Sequence, residues 1–341
     1  AVKNNWEVYL LAGDTGVGHE VQKHGIQYIP WEVSRAGKNP LNELKSLLFL
    51  YKMYKKVNPD IIHQVAMKPV LYGTLIARIL GTKKTINALS GLGYSFTDNR
   101  KTGKFLLVFL RFVLSYTKNK LILQNQDDSL LFIENKIIQK DKIVIIKGSG
   151  VDSKVFQKVE EPKNDPLIIM LPSRMLIDKG VREFVNVAQN LKDRQNLKFV
   201  LVGGIDKENP AWIAEEEILE WVKEGFVDWW GHQKDMRAIL AKANIVVLPS
   251  YREGLPKVLI EASMLERAII TTDVPGCREI IKHEVNGLLV PSQNVIELEN
   301  AILRLAIDSE LRLQLAQNAH EIAIQEYSID KVIQDTFSLY Q

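Results

Sequence analysis

The chain has 341 residues and a formal net charge of +3, with 46% hydrophobic and 25% charged residues. This composition is typical of a folded globular protein, and the length predicts two domains rather than one. Cys277 is the only cysteine, which excludes an intramolecular disulfide and a cysteine-rich zinc site. The apolar runs are too short and too interrupted to predict a membrane-spanning helix, and no signal peptide is predicted.

Apolar strands and helical segments alternate along the chain. In the first half the pattern predicts strands at 6–12, 61–64, 84–88, 120–124 and 143–147, and helices at 40–57, 70–80 and 105–118. In the second half it predicts strands at 167–171, 197–202, 227–230, 245–248, 268–272 and 287–290, and helices at 181–190, 216–224, 236–241, 258–265 and 296–308. A last helix is predicted at 327–340, with Ser328 as its N-cap. Such alternation predicts an α/β fold with parallel sheets covered on both faces, and the polar segment 158–166 is the predicted linker.

The stretch from Ser250 to Ala262 is the most informative part of the sequence. It follows a predicted buried strand, and Gly254 and Pro256 mark a turn before the next helix. Glu253 is therefore predicted in a strand-to-helix loop, and Glu261 on the helix itself. Free amides at a helix start, flanked by two carboxylates, suit a ligand with phosphates and hydroxyls, such as a nucleotide-sugar. Acidic residues near helix starts are also common for electrostatic reasons alone.

Several segments resemble the family-4 retaining glycosyltransferases of the GT-B class. Glu253 to Glu261 is similar to the family's signature of two glutamates separated by seven residues, and Arg174 and Lys179 are similar to the pair that closes on the donor diphosphate. Segments 147–156, 201–204 and 230–232 resemble the end of the family's N-terminal domain and two strand ends of its donor domain. Together these segments cover nearly the whole chain.

The resemblance implies two Rossmann-like, doubly wound domains that face a cleft. Residues 1–157 would form the acceptor-binding domain, with the C-terminal helix 327–341 packing back on it, and residues 158–326 would bind the nucleotide-sugar. The first residues resemble the end of the family's first helix and its second strand. The first domain is therefore expected to lack its N-terminal strand and glycine-rich loop, which puts the activity of this chain in question.

The resemblance also assigns roles to individual residues. Arg174, Lys179 and Glu253 are the expected catalytic residues, with Glu253 on the donor sugar and Glu261 on the ribose hydroxyls. The other expected donor-binding residues are Gly203, His232, Gly254, Leu255, Pro256, Lys257 and Val258. His232 is equally well explained as an ordinary loop histidine. No cofactor and no metal are expected, and the pair Asp127-Asp128 is predicted to start a helix rather than to bind a metal.

Two segments of the first half look like the acceptor region of a bacterial subgroup of this family. They are 63–73 and 87–96, and the subgroup extends sugars held on undecaprenyl diphosphate during assembly of O-antigen lipopolysaccharide, capsule or N-glycan. Lys68, Gly91, Gly93 and Tyr94 are the expected acceptor-binding residues, since glycines allow close approach and a lysine can meet a phosphate. A glycine-rich turn and a surface lysine are the alternative. Val65 stands where many members have a second histidine.

Charge is divided unevenly between the two halves. Residues 1–150 contain 22 lysine and arginine residues against 11 acidic ones, a net charge of +11, whereas the remainder carries −8. A basic half favours an anionic partner, and the sequence has no nucleic-acid-binding motif. An anionic membrane surface is the better candidate, with segments 105–118 and 44–56 as possible interfacial helices. A buried helix and a solvated helix face are the respective alternatives.

The sequence thus predicts a retaining glycosyltransferase that moves a hexose or N-acetylhexosamine from a UDP-sugar to a lipid-diphosphate-linked saccharide. It is expected in the cytoplasm, peripheral on the inner face of the membrane. A UDP-N-acetylglucosamine 2-epimerase of similar architecture is one alternative. A non-catalytic binding subunit that keeps the fold is another. Which sugar is transferred, and to which hydroxyl, stays open at this stage.

Overall fold

The structure, a computed structural model, describes the whole chain except residues 15, 17, 33–38, 90–100 and 116–118, and the side chains of residues 101–106. The described residues form two compact units. The first contains Ala1–Leu89 and Leu106–Leu121, and the described residues of the second are 101–105 and Ile122–Gln341. The predicted division at residue 157 stays a prediction.

The first unit is built from short strands and helices. Its strands are β1 (Val8–Ala12), β2 (Ile26–Pro30), β3 (Ile61–Val65) and β4 (Lys84–Ala88), and its helices are α1 (Gly18–Lys23), α2 (Pro40–Val57) and α3 (Met67–Leu80). Strand β1 pairs with β2, and β3 pairs with β4, both in parallel. Helix α4 (Lys101–Leu114) and strand β5 (Asn119–Leu123) cross the boundary between the units.

Helix α2 buries one face against a small core that contains Trp31, Leu50 and Ile76. Asn39 caps its start, because the side-chain Oδ1 accepts a hydrogen bond from the Leu41 amide at 3.0 Å. Trp31 Nε1 donates to the buried Ser46 Oγ at 2.8 Å, which satisfies both polar groups inside the core. The side of α2 away from this core is therefore the side that solvent reaches.

Helix α4 has one buried and one exposed side. Leu110, Val113 and Leu114 are buried, whereas Val108 and Phe112 are exposed. The helix begins at Lys101, four residues before the predicted start. Its described side chains are amphipathic, and binding of this helix to a membrane surface stays a prediction.

The second unit contains a six-stranded parallel sheet with helices around it. Its elements are α5 (Gln126–Glu134), β6 (Ile143–Ile145), β7 (Leu167–Pro172), α6 (Val181–Asn190), β8 (Leu197–Val202), α7 (Glu215–Lys223), β9 (Asp228–Trp229), α8 (Met236–Leu240), β10 (Ile245–Leu248), α9 (Lys257–Met264), β11 (Ala268–Thr272), α10 (Cys277–Ile280), β12 (Leu288–Val290), α11 (Val295–Ile307), α12 (Ser309–Tyr327) and α13 (Ile329–Ser338). The strand order is β12-β11-β10-β7-β8-β9.

The sheet separates two apolar cores. In β7, Ile169 and Leu171 belong to one core and Met170 belongs to the other. In β10, Val247 belongs to the first core and Val246 to the second. Successive side chains of a strand point to opposite faces, so a strand covered on both faces must be apolar throughout. This explains why the central strands appear in the sequence as uninterrupted apolar runs.

Strand β7 lies where the strand order reverses. The chain goes from β7 to β8 on one side of the sheet, and it later returns to place β10 on the other side of β7. The loops after β7 and β10 therefore leave neighbouring strands at the carboxyl edge of the sheet. In open α/β sheets this topological switch point is the usual place for a ligand.

Most predicted elements are confirmed to within a few residues, but four are missing from the prediction. The sequence pattern did not indicate α1, β2, the four-residue helix α10 or the 19-residue helix α12. Helix α13 follows Ser328 as predicted, although the serine side chain makes no capping hydrogen bond. Asp127 and Asp128 lie in the first turn of α5, as predicted.

Candidate active site

Lys179 and Glu253 form an ion pair across the switch point. Lys179 ends a short 3₁₀ turn after β7, and Glu253 lies in the loop between β10 and α9. Lys179 Nζ is 2.5 Å from Glu253 Oε1, and Ser250 Oγ donates to the same oxygen at 2.7 Å. Only 16% of the lysine side chain and 12% of the glutamate side chain are exposed. Charges this far from water interact more strongly than a surface pair does.

Gly180 explains how the two loops come so close. Its φ is +71°, and a Cβ atom at this position would lie 2.2 Å from the carbonyl oxygen of Pro249 at the end of β10. Only glycine fits both the left-handed conformation and the contact. The peptide after Lys179 therefore packs directly against the strand that leads to Glu253.

Arg174 follows β7 and faces the loop after β8. Its Nη1 lies 2.5 Å from Asp206 Oδ2, and 55% of its side chain is exposed. Gly203, at the end of β8, has a φ of +147°, and a Cβ there would lie 1.7 Å from the carbonyl oxygen of Ser173. The backbone before Arg174 thus depends on the absence of a side chain at Gly203.

Helix α9 presents its start and Glu261 on the same side of the sheet. The helix begins at Lys257, and Pro256 occupies the N-cap position, where its missing N–H leaves no donor unpaired. Glu261 is 8% exposed, and its Oε1 lies 3.1 Å from Lys257 Nζ. Burial raises the pKa of the Glu261 carboxyl, while Lys257 acts in the opposite direction. The neutral form is thus favoured more than in an exposed glutamate.

Four other predicted donor-binding residues, Gly254, Leu255, Val258 and His232, lie in the same unit. Gly254 O accepts a hydrogen bond from Asn125 Nδ2 at 2.8 Å, and Leu255 lies against Gly148. Val258 packs on the apolar core beside α9. His232 is exposed after β9, next to Gly204, and its role in binding stays a prediction.

The predicted acceptor residues are only partly described. Lys68 lies at the start of α3, with its Nζ 2.8 Å from Glu43 Oε1, and Tyr72 Oη donates to the other oxygen of Glu43. The structure places Lys68 within the first unit and does not test its role. Gly91, Gly93 and Tyr94 lie outside the described residues.

Two further residues near the expected donor-binding groups, Arg252 and Asp206, were not found by the sequence analysis. Arg252 Nη2 donates to Asp128 Oδ1 at 2.8 Å, which ties the Glu253 loop to the start of α5. Asp206 pairs with Arg174, as described above. The local sequence gives no signal for these contacts, because their partners are far away in the chain and meet only in the folded sheet.

The arrangement provides two cations and a helix start, and the thiol of Cys277 is buried. Burial raises the pKa of the Cys277 thiol to about 12, so this thiol stays protonated near neutral pH. In the described part of the chain, no three His, Cys, Asp or Glu side chains are grouped as a metal site requires. Arg174, Lys179 and the amides at the start of α9 are the groups that can compensate negative charge on a phosphate.

Comparisons with known proteins identify the family. The model of "Glycosyl transferases group 1" matches residues 152–322, and the model of "Glycosyl transferase 4-like" matches residues 1–125. The chain is a group 1 glycosyltransferase. The first match includes Arg174, Lys179, Glu253 and Glu261, so the predicted family is confirmed on the segments that suggested it.

Two curated relatives have specific names. An N,N'-diacetylbacillosaminyl-diphospho-undecaprenol α-1,3-N-acetylgalactosaminyltransferase of Campylobacter jejuni is 32% identical, over 98% of this chain and 90% of that protein. A UDP-Gal:α-D-GlcNAc-diphosphoundecaprenol α-1,3-galactosyltransferase of Escherichia coli is 24% identical, over 88% of this chain and 80% of its own length. The glycosyltransferase therefore matches such enzymes along nearly their whole length.

The fold has a close counterpart among solved structures. The structure of Anabaena Alr3699/HepE in complex with UDP and glucose superposes with a TM-score of 0.78, at 18% identity, and covers 96% of this chain and 91% of that one. The predicted GT-B fold is confirmed. Among its described residues, the glycosyltransferase has no helix with the length and apolar character needed to cross a membrane.

Proposed function

We propose that this glycosyltransferase transfers a sugar from a UDP-sugar to a saccharide carried on undecaprenyl diphosphate, with retention of the anomeric configuration. One observation carries the proposal: the Lys179–Glu253 pair lies at the switch point of a chain of which 98% aligns with an enzyme named for that acceptor. N-acetylgalactosamine is the first donor sugar to test, because that relative is named for it.

Arg174 and Lys179 carry the positive charge that a departing nucleoside diphosphate requires. When the bond between the anomeric carbon and the phosphate oxygen breaks, negative charge grows on the leaving phosphate. Arg174 offers a planar fork and Lys179 a point charge to this group. Arg174 pairs with Asp206 and Lys179 pairs with Glu253, so a bound diphosphate would compete with those carboxylates for the two cations.

The carboxylates suit the hydroxyls of the donor. Glu261, largely buried beside the helix start, would accept the two ribose hydroxyls, and Glu253 would accept from the donor sugar. The acceptor hydroxyl would attack from the side that the diphosphate leaves and pass its proton to the departing phosphate oxygen. This route needs no protein nucleophile, in keeping with the protonated Cys277 thiol.

A lipid-linked acceptor places the reaction at a membrane surface, and α2 offers a face for it. Leu41, Leu44 and Leu48 are 69%, 53% and 51% exposed and project from one side of the helix. Four exposed lysines share that side, at positions 45, 52, 55 and 56. Leucines that enter the interface beside lysines that meet anionic headgroups are the two components of interfacial binding. This face supports our proposal that the enzyme binds the inner face of the cytoplasmic membrane.

The donor site is tested by ligand-dependent unfolding. UDP at 100 times its dissociation constant is expected to stabilise the protein by about 2.7 kcal/mol. Glu261→Gln is expected to weaken UDP at least tenfold, since a hydrogen bond to a charged group contributes about 1.5–3 kcal/mol. Melting temperatures with UDP, GDP and a set of UDP-sugars measure both effects.

Asp335→Asn is the matched control for Glu261→Gln. Asp335 pairs with Lys331 four residues before it, as Glu261 pairs with Lys257, but lies on α13. The control is expected to bind UDP as the unchanged protein does. If UDP raises the melting temperature of both variants equally, Glu261 does not bind the nucleotide. UDP binding without transfer from any UDP-sugar would favour the binding-subunit alternative.

Membrane binding is tested with vesicles of phosphatidylglycerol and phosphatidylcholine. Serine at Leu41, Leu44 and Leu48 together is expected to lower vesicle binding more than tenfold, at roughly 1 kcal/mol for each partly inserted leucine. Co-sedimentation measures the bound fraction. The control replaces Leu219, Ile307 and Leu313, exposed in the second unit, by serine. Equal binding by both triple variants would show that α2 is not the contact.

A further inference from the structure

The Glu253 loop, residues 250–256, is held from two directions. Its first half is fixed to the turn after β7 and to the end of β11, because Tyr251 N donates to Asp178 O at 2.9 Å and Thr272 Oγ1 donates to Ser250 O at 2.5 Å. Its second half is fixed to the start of α5. There Arg252 donates to Asp128, and Gly254 O accepts from Asn125 Nδ2. The residues on both sides of Glu253 are thus tied to α5.

The α5 contacts form a small closed network. Asn125 Oδ1 accepts the Asp128 amide at 2.7 Å and so caps the helix, while Asn125 Nδ2 also donates to Asp128 Oδ2 at 3.1 Å. Asp128 Oδ1 is left for Arg252 at 2.8 Å. Both carboxylate oxygens therefore have a partner, and each atom of the Asn125 carboxamide that can bond does so.

This network is more than ordinary capping. An N-cap asparagine is satisfied by the helix amide alone, and an aspartate in the first turn is usually exposed. Here the Asp128 side chain is only 3% exposed, and burial raises its pKa. Burying a carboxylate destabilises a fold unless the carboxylate is paired, and here Arg252 is the partner. A buried ion pair often adds little net stability, so stability alone is a weak explanation for this pair.

We propose that Asp128 and Asn125 are positioning residues of the transferase: through Arg252 and Gly254 they fix the Glu253 loop so that the Glu253 carboxylate faces Lys179 and the donor sugar. The donor-sugar part of this statement rests on the function proposed above. The two side chains act through the loop and do not contact the donor. Without them, Glu253 would keep its partners but would spend less time in the competent position.

The first test measures the loop itself and needs no substrate. Asp128→Asn keeps the side-chain shape and removes the charge, and Arg252→Gln removes the other partner. Hydrogen exchange of peptides covering residues 250–256 is expected to be about tenfold faster in either variant, the change for loss of one charged hydrogen bond. Peptides of the six-stranded sheet should exchange as before. Unchanged exchange in the loop would overturn the proposal, whatever the activity.

The second test measures catalysis. With a UDP-sugar that the unchanged enzyme uses, each single variant is expected to lower kcat/KM about tenfold, and the double variant about as much as one alone, because both remove the same contact. Arg304→Gln is the control, since Arg304 pairs with the exposed Glu284. Two results would assign the pair to stability alone. One is a loss of kcat/KM in the double variant equal to the product of the two single losses. The other is a lower melting temperature with KM and kcat unchanged in the folded protein.

The two tests separate this proposal from the proposed function. If the unchanged protein transfers no sugar while Asp128→Asn still frees the loop, the positioning contact stands and the assigned reaction fails. If the unchanged protein transfers sugar and both variants match it in exchange and kcat/KM, the reaction stands and the positioning proposal is wrong.

Discussion

Replacing Lys179 with methionine is expected to lower the rate of sugar transfer by about 100- to 1,000-fold, as when one charge-stabilising group is removed from an active site. Methionine keeps an unbranched stem of similar length but brings no charge to the leaving phosphate. Because negative charge grows on that phosphate as the bond breaks, the rate should fall more than the affinity for UDP. Initial rates of transfer and UDP titrations on the same preparation measure the two losses.

The pairing of Lys179 also affects Glu253. In the variant, the Glu253 carboxylate loses its partner at 2.5 Å and keeps the hydrogen bond from Ser250 Oγ. Some stability should be lost as well, since an unpaired buried charge is costly. The melting temperature of the variant must therefore be measured, so that rates are compared between folded proteins.

Lys198→Met provides the matched control. Lys198 Nζ lies 2.7 Å from Asp228 Oδ2 in the same unit, but about half of each side chain is exposed. Exposed ion pairs contribute little to the free energy of unfolding, so this variant should fold normally and transfer sugar within about twofold of the unchanged rate. If Lys179→Met keeps more than a tenth of the rate while folded, Lys179 does not stabilise the departing phosphate.

The central strands could be predicted from the sequence because they are buried on both faces. Strands β8, β10 and β11 have the predicted bounds: β10 is apolar throughout, β8 contains one polar residue, Lys198, and β11 is apolar up to its two final threonines. Helix α12 was missed for the opposite reason. Its buried face consists largely of alanines, at positions 316, 319 and 323, which contribute little to an apolar pattern. Strand β2 was missed because Gln27 and Pro30 interrupt a run of only five residues.

The site could be predicted only as far as its residues lie near one another in the chain. Glu253, Glu261, Arg174 and Lys179 were found because each belongs to a short recognisable segment. Their partners were not found, because Arg174 and Asp206 are 32 positions apart and Arg252 and Asp128 are 124 apart. Such pairs depend on the strand order, which places β10 beside β7 and which no local pattern records.

Replacing Gly203 with alanine is expected to lower the free energy of unfolding by about 3 kcal/mol, from overpacking and backbone strain together. The new Cβ would lie 1.7 Å from Ser173 O, at a φ of +147° that residues with a side chain rarely adopt. The ends of β7 and β8 would have to move apart. Urea unfolding measures the loss, and the Trp229 indole, which donates to Gly203 O at 2.9 Å, provides a fluorescent probe at the site.

Gly225→Ala separates strain from crowding. Gly225 has a φ of +75°, but a Cβ there would meet nothing within 4 Å, so the expected loss is only about 1 kcal/mol. The two variants should differ in function as well. Moving Ser173 displaces Arg174, so folded Gly203→Ala should bind UDP more weakly, whereas Gly225→Ala should bind it normally. Equal stability losses in the two variants would show that β7 and β8 can separate without cost. Normal UDP affinity in Gly203→Ala would show that Arg174 reaches the diphosphate independently of the strand end that precedes it.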